Sequence, residues 1–298
     1  MLDLVEKKMR ENISTLNDET ILKLFDKLPS GKRLRAKLVL RIAKDHPDAI
    51  MLASIIEMIH AASLLHDDVI DEATTRRGEE SINALFGDKS AIMLGDVLYS
   101  QAFYLLTSLP TEVASTVSKA VVFLSIGELQ DVELSFSFNS SLSSYETMIY
   151  NKTASLIEAS AKAAALLAKK DSKAFATYGK NLGLAFQIID DVLDVTQDSN
   201  SLGKPAMSDF KEGKTTLPYL YLYELLNEKD QEFLKSLFKK ELSEDELTWV
   251  VEKFKESKAI KKAVLKAKEY GALALNAIKG SGVEGLEGVV KQMIERDF

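Results

Sequence analysis

What most constrains this chain is the spacing of its apolar side chains, which recur at intervals of three and four over most of its length, while strand-like alternation is rare. Ile55, Ile56, Ile59, Ala62 and Leu65 trace one such stripe, broad enough to cover a buried helix face. Only 14 Gly and 5 Pro interrupt 298 residues, and Pro29, Pro47, Pro110, Pro205 and Pro218 all fall between apolar-periodic stretches. The pattern predicts helices over 3–12, 18–28, 31–44, 47–71, 89–107, 111–135, 143–169, 172–196, 215–227, 229–239, 243–254, 257–278 and 284–296. Residues 196–214, rich in Gly, Ser, Asp and Lys, read as a long ordered or semi-ordered loop, and loops of that length are usually functional or disordered. No linker divides the chain, so one all-α domain over residues 1–298 is expected.

The interior of that domain is legible in part. Ala159, Ala161, Ala163, Ala164, Ala165 and Ala168 leave their helix almost no polar face, which places it inside a bundle. From about Lys229 onward the chain is far more charged, and that tail is expected at the periphery. There is no cysteine, which excludes disulfides, thiolate metal sites and thiol nucleophiles. A net charge of −7 argues against a nucleic-acid partner held by phosphate neutralisation. The N-terminus has no apolar core of signal-peptide length, and the longest tempting apolar run, 154–168, is broken by Glu158 and Lys162. The expected location is the cytoplasm.

Two sequences of the form Asp-Asp-x-x-Asp carry the chemistry. Asp67, Asp68 and Asp71 end the 47–71 helix, and Asp190, Asp191 and Asp194 end the apolar run 182–189. The outer aspartates of each set are four apart and share a helix face, where they repel each other. Hard oxygen ligands so placed suit Mg²⁺, which takes a few carboxylates plus waters and substrate phosphates. A chain of this aspartate content should show roughly 0.1 such matches by chance, so a pair of them is specific where one would not be. The competing reading of each cluster is an acidic helix end in solvent. Arg76 and Arg77 follow the first cluster, as cations must if phosphate is held beside metal.

Other candidates are weaker alone. Gly31, Lys32, Arg33, Leu34 and Arg35 stand at a helix start, where backbone N–H groups and basic side chains favour an anion; an ordinary basic helix start fits as well. His60 lies two turns before Asp67, and a lone histidine on an apolar helix is more often a wall residue. Lys152 with Thr153, Gln187, Lys204 and Lys214 are polar interruptions beside apolar helices, and lysines mostly face solvent.

Taken in order, these motifs resemble those of the trans-isoprenyl diphosphate synthases, the polyprenyl synthase family. The match comprises residues 31–35, His60 to Asp71, Arg76-Arg77-Gly78, Gly95-Asp96, Gly127-Glu128, Lys152-Thr153-Ala154, Gly183 to Asp194, Gly203-Lys204, Asp209 and Gly213-Lys214-Thr215-Thr216. The resemblance implies an antiparallel helical bundle around a deep apolar cavity, a homodimer, and three Mg²⁺ ions when substrate is bound. It implies head-to-tail condensation of isopentenyl diphosphate onto an allylic diphosphate, with Asp67, Asp71 and Asp190 as metal ligands supported by Asp68, Asp191 and Asp194. Arg76, Lys152, Thr153, Gln187, Lys204 and Lys214 would hold the allylic diphosphate; Lys32, Arg35, His60 and Arg77 would hold isopentenyl diphosphate. Lys152 and Lys204, with Asp67, Asp71 and Asp190, would stabilise charge on the leaving diphosphate.

In short-chain members the fourth or fifth residue before the first cluster is often aromatic; here Ser63 and Ala62 are small, as is Ala61. That points to a product of medium or long chain, with a cavity floor deeper than these residues. Val117, Val121 and Leu124 are candidates for the floor and equally for plain core. A long product also raises transient membrane contact at release. One departure is Ser30, where the family usually has a second glycine before Lys32, which reduces backbone freedom at that turn. The rival readings are a short-chain synthase, a class I terpene cyclase, a non-catalytic partner subunit, and a helical scaffold with acidic patches.

Overall fold

The computed structural model describes residues 1–196 and 207–294. Its regular structure is helical apart from two strands of two residues, β1 (Thr75–Arg76) and β2 (Glu79–Glu80), so the chain is all-α as its apolar spacing predicts. The residues gather into two compact units. One comprises Met1–Leu124, Leu156–Gly179 and Gly280–Leu286; the other comprises Ser125–Ser155, Lys180–Lys279 and Glu287–Phe298, so far as these are described.

The first unit is built on α4 (Ala49–Ile70), which packs against α1 (Leu2–Ser14), α3 (Leu34–Ala43) and α6 (Asp88–Leu106). Its stripe of Leu52, Ile55, Ile56, Ile59, Ala62 and Leu65 is buried to 2% exposure or less. Burial of each large aliphatic side chain contributes about 1.5–3 kcal/mol. Helix α4 is long and apolar enough to cross a bilayer, but most of it is buried here, which is how a core helix passes the same test. Short helices α2 (Glu19–Phe25) and α5 (Ile82–Phe86) lie against α1 and α6, respectively.

The second unit takes in the end of α7 (Thr111–Leu134), α8 (Leu142–Ile149), a five-residue π-helical turn at Tyr150–Ala154, and the later part of α10 (Ser172–Thr196). Between α8 and α10 the chain runs on from that turn into α9 (Ser155–Leu167), nearly all of which belongs to the first unit. In the second unit helix Leu217–Leu225 packs on helices Ala259–Ala277 and Glu244–Ser257. Phe210 stacks on Tyr219 at 4.2 Å between centroids, and Phe254 meets Tyr219 edge-on at 5.0 Å. The tail is not peripheral, contrary to its charge: Leu234, Leu237, Val250, Phe254, Ala259, Ala263 and Ala267 are buried in this core. Each tail helix keeps a narrow apolar stripe beneath a charged outer face, and the charge dominates the composition while the stripe decides the packing. Within the long loop expected at 196–214, Ser208–Glu212 forms a short helix, and residues 197–206 lie outside the description.

Candidate active site

The first aspartate cluster is the C-terminus of α4. Ala73 N–H donates to Asp68 O at 2.8 Å and Glu72 N–H to Val69 O at 3.3 Å, with Glu72 at φ 52°. These two bonds are a Schellman motif, and they place Asp67, Asp68 and Asp71 in the last turn. Carboxylates there oppose the helix dipole, and no basic residue of α4 offsets them. The offset comes from β1. Arg76 donates through Nε to Asp68 Oδ1 at 2.5 Å and through Nη2 to Asp67 Oδ2 at 3.1 Å. Asp68 is buried, while Asp67 and Asp71 keep partial access. Burial pushes the Asp68 carboxyl above its ordinary range, with Arg76 opposing the shift.

The β1–β2 hairpin turns at Arg77 and Gly78, which have φ of 57° and 80°. Two successive positive φ values define the tight turn that suits a two-residue hairpin. The turn directs neighbouring arginines to different partners: Arg76 to the aspartates, and Arg77 to the segment before α3. Arg77 Nη1 donates to Ser30 O at 3.0 Å and to Pro29 O at 3.4 Å. Beside it Lys32 is exposed and Arg35 is buried. His60 faces this basic group. Burial, then the charges of Arg35, Arg77, Arg33 and Arg76, push the imidazole well below its usual range, so it is neutral at physiological pH.

In the second unit, α10 presents the other cluster in the same pattern. Asp190 and Asp194 keep partial access and Asp191 is buried. Tyr145 Oη donates to Asp191 Oδ2, and Gln187 Nε2 donates to Asp191 Oδ1 at 2.9 Å. Thr153 Oγ1 in turn donates to Gln187 Oε1 at 2.7 Å. Burial raises the Asp191 carboxyl to about 7 against the pull of these hydrogen bonds. Asp194 accepts from Ser208 Oγ at 2.6 Å, Ser208 N–H at 3.1 Å and Asp209 N–H at 3.2 Å, which fixes the start of the Ser208–Glu212 helix. Lys214 Nζ pairs with Glu212 at 2.9 Å.

Lys152 and Thr153 sit on the π-helical turn Tyr150–Ala154. Single π turns occur often where a side chain must be re-aimed at a functional site. Two glycines let the backbone through: a Cβ on Gly127 of α7 would lie 2.1 Å from Lys152 N, and one on Gly183 of α10 would lie 2.5 Å from Ala154 Cα. Lys152 Nζ then reaches Asp131 Oδ2 at 2.6 Å and Glu128 Oε1 at 3.0 Å.

Each cluster therefore offers two partly accessible carboxylates one turn apart, with the middle aspartate buried on internal donors. That donor set suits a hard divalent cation, and a cation at the end of α4 would also relieve the clash with the helix dipole. Among the described residues no three acidic or histidine side chains close into a ready-made cage. Lys32, Arg35, His60, Arg76, Arg77 and the first cluster belong to one unit; Lys152, Thr153, Gln187, Lys214 and the second cluster belong to the other. Lys204 lies outside the described residues. Ala62 is fully buried, and Ser63 turns its hydroxyl back to His60 O at 2.9 Å. Sequence reasoning missed Glu57, Tyr145 and Asp131 as supports, and had Glu128 only as a motif residue without a role. The signal for Glu57 was in view, as a lone charge in the apolar run 49–59.

A family model described as polyprenyl synthetase matches residues 18–254. A prenyl transferase of Cyanidium caldarium is 39% identical over 84% of this chain and 79% of its own length. A short chain isoprenyl diphosphate synthase of Methanothermobacter thermautotrophicus is 38% identical over 79% of this chain and 77% of its own. Among solved structures, octaprenyl pyrophosphate synthase from Helicobacter pylori is 47% identical with a TM-score of 0.94, over 99% of this chain and 98% of that one.

Proposed function

The chain belongs to the polyprenyl synthetase family, as a trans-polyprenyl diphosphate synthase, and from that premise we propose how its residues carry the reaction. Isopentenyl diphosphate adds head-to-tail to an allylic diphosphate, repeatedly, to give an all-trans product of medium or long chain. The observation that carries the site assignment is the repeated pattern of the two clusters, with the outer aspartates accessible and the middle one buried. Asp67, Asp71 and Asp190 are the metal ligands in this reading. Asp68 and Asp191 support their neighbours through Arg76, Tyr145 and Gln187.

Mg²⁺ held there supplies positive charge against the departing diphosphate. The remaining work falls to side chains. Arg76, Lys152, Gln187 and Lys214 hold the allylic diphosphate, with Lys204 as a further ligand, and Lys152 passes from its two carboxylates to the phosphate oxygens. Lys32, Arg35 and Arg77 hold isopentenyl diphosphate, and neutral His60 donates a hydrogen bond to it. The allylic cation is attacked by the double bond of isopentenyl diphosphate, a new C–C bond forms, and a proton leaves to the released diphosphate. Small side chains at Ala62 and Ser63 leave room for a growing chain, which favours the longer product.

Homodimer formation is supported by a set of exposed apolar side chains on α6 and α7. Met93 and Tyr104 are 56% and 70% exposed, and Val122, Ile126 and Leu129 follow one another at helical spacing on α7. We place the protein in the cytoplasm, with transient membrane contact when a long product leaves.

Incubation of the purified protein with Mg²⁺, isopentenyl diphosphate and farnesyl diphosphate, followed by chromatography of the dephosphorylated products, tests the reading. A ladder ending well beyond four isoprene units supports it. Arrest at four units makes this a short-chain synthase, and a cyclic or head-to-head product removes the mechanism. Ala62→Tyr should shorten the longest product; an unchanged ladder would put the length determinant elsewhere.

A further inference from the structure

Glu57 is a buried carboxylate, 2% exposed, in an otherwise apolar stretch of α4. A charge so placed is strongly disfavoured unless it is paired and hydrogen-bonded. Its two oxygens reach the segment that opens α3. Oε1 accepts Ala36 N–H at 2.9 Å, and Oε2 accepts Arg33 Nη1 at 3.3 Å. Ala36 is the third residue of α3, whose N–H a capping side chain normally satisfies, and Arg33 at the cap position makes no such bond. Glu57 thus caps α3 from a different helix.

Arg33 itself is held in the left-handed region, with φ 49° and ψ 45°. For a residue with a Cβ that conformation costs about 1–2 kcal/mol. It persists because the guanidinium is tied on both sides, to Glu57 and to Glu6 Oε1 at 3.2 Å. The immediate sequence neighbours of this strained residue are Lys32 and, one beyond Leu34, Arg35. Lys32 is exposed, and Arg35 is the charge that acts most on His60. Arg77 closes the same turn from the other side through Ser30 O. Four arginines at 33, 35, 76 and 77 all bear on His60, and Glu57 is the buried anion that pairs with Arg33 and acts on Arg77.

We infer that Glu57, acting through Arg33, is a positioning residue that holds the Lys32–Arg35 turn ready for the diphosphate of isopentenyl diphosphate. The inference rests on the reading of that turn as the isopentenyl diphosphate site. Without the anion the turn relaxes out of its left-handed conformation, and the flanking cations lose a shared geometry. Binding of isopentenyl diphosphate weakens, and binding of the allylic diphosphate at Lys152 and Gln187 does not.

The test uses the full chain with Glu57→Gln, Arg33→Gln and the double variant. Glu57→Gln keeps an acceptor for Ala36 N–H and removes the charge opposite Arg33. Arg33→Gln leaves the Glu57 cap in place and serves if the first variant folds poorly. In Mg²⁺ with each substrate varied in turn, each single variant should raise KM for isopentenyl diphosphate about tenfold, equivalent to about 1.4 kcal/mol. KM for the allylic diphosphate should stay within about twofold, and the double variant should be no worse than the worse single one. A residue that merely stabilised the fold would lower the active fraction, and so kcat, without this split. The inference is overturned if KM for isopentenyl diphosphate is unchanged in both single variants, if both KM values rise together, or if the two effects multiply. Calorimetric titration with inorganic pyrophosphate in EDTA separates this inference from its premise. A wild-type protein that does not condense isopentenyl diphosphate defeats the premise, whereas pyrophosphate affinity equal in wild type and both variants defeats the role of Glu57.

Discussion

At the scale of single residues, the three aspartates of a cluster sit in different surroundings. Asp191 is enclosed, with Tyr145 and Gln187 both donating to it, whereas Asp190 beside it keeps partial access. Asp190→Ala should lower kcat by about a hundred- to a thousandfold and leave the urea midpoint unmoved. Asp191→Ala strands the buried Tyr145 hydroxyl and should destabilise by about 1–3 kcal/mol. Equal loss of stability in the two variants would show that the middle and outer positions are not distinct. His60 makes a second prediction. Its folded pKa lies well below the ordinary value of 6.5, which the unfolded chain retains. The unfolded chain therefore takes up a proton first as pH falls, so stability from neutral His60 is complete above about pH 6.5 and declines below it. His60→Gln should remove a slope of at most about 1.4 kcal/mol per pH unit on that acid side. Unfolding curves at pH 5 and 7 that respond identically in both proteins would refute the assignment. The aspartates were legible in the sequence because charge repeated at helical spacing is improbable; which of them are buried was not, because burial depends on Tyr145, forty-six residues from Asp191.

Elements explain why the site lies where helices end or distort. The expected helix at 47–71 is observed at Ala49–Ile70 and that at 111–135 at Thr111–Leu134, because long apolar stripes survive small errors at their ends. The interval 143–169, legible only as one helix, is α8, a π turn and α9. One extra residue in a turn barely disturbs a pattern of threes and fours, so the periodicity of the sequence carries no trace of it. The hairpin at 75–80 escaped for a different reason: strands of two residues have no alternation to detect. The π turn depends on a backbone approach at Gly127, and the atoms in the way are Lys152 N at 2.1 Å and Asn151 C at 2.6 Å, neither of which can rotate aside. Gly127→Ala should destabilise by about 1–3 kcal/mol and displace Lys152. The kinetic expectation is a raised KM for the allylic diphosphate with KM for isopentenyl diphosphate nearly unchanged. A variant with wild-type stability and both constants unaltered would show that the turn is not held by this contact.

For the whole molecule, the decisive property is that each of the two units carries one acidic cluster and its own set of cations. Mg²⁺ or pyrophosphate alone meets only part of that arrangement: the metal lacks its remaining oxygen ligands, and the anion faces carboxylates. Together they should bind to the folded chain and not to the unfolded one, and ligand at a hundred times its Kd stabilises by about 2.7 kcal/mol. For a chain of this size that is a rise in Tm of roughly 4 °C. Differential scanning calorimetry should show the full shift only when metal and pyrophosphate are both present, and EDTA should remove the metal-dependent part of it. If the clusters serve one diphosphate, Asp67→Ala in the first unit and Asp190→Ala in the second should each remove the shift. Loss in only one variant would confine the diphosphate to that unit, and a shift preserved in both would return the acidic clusters to being helix ends in solvent.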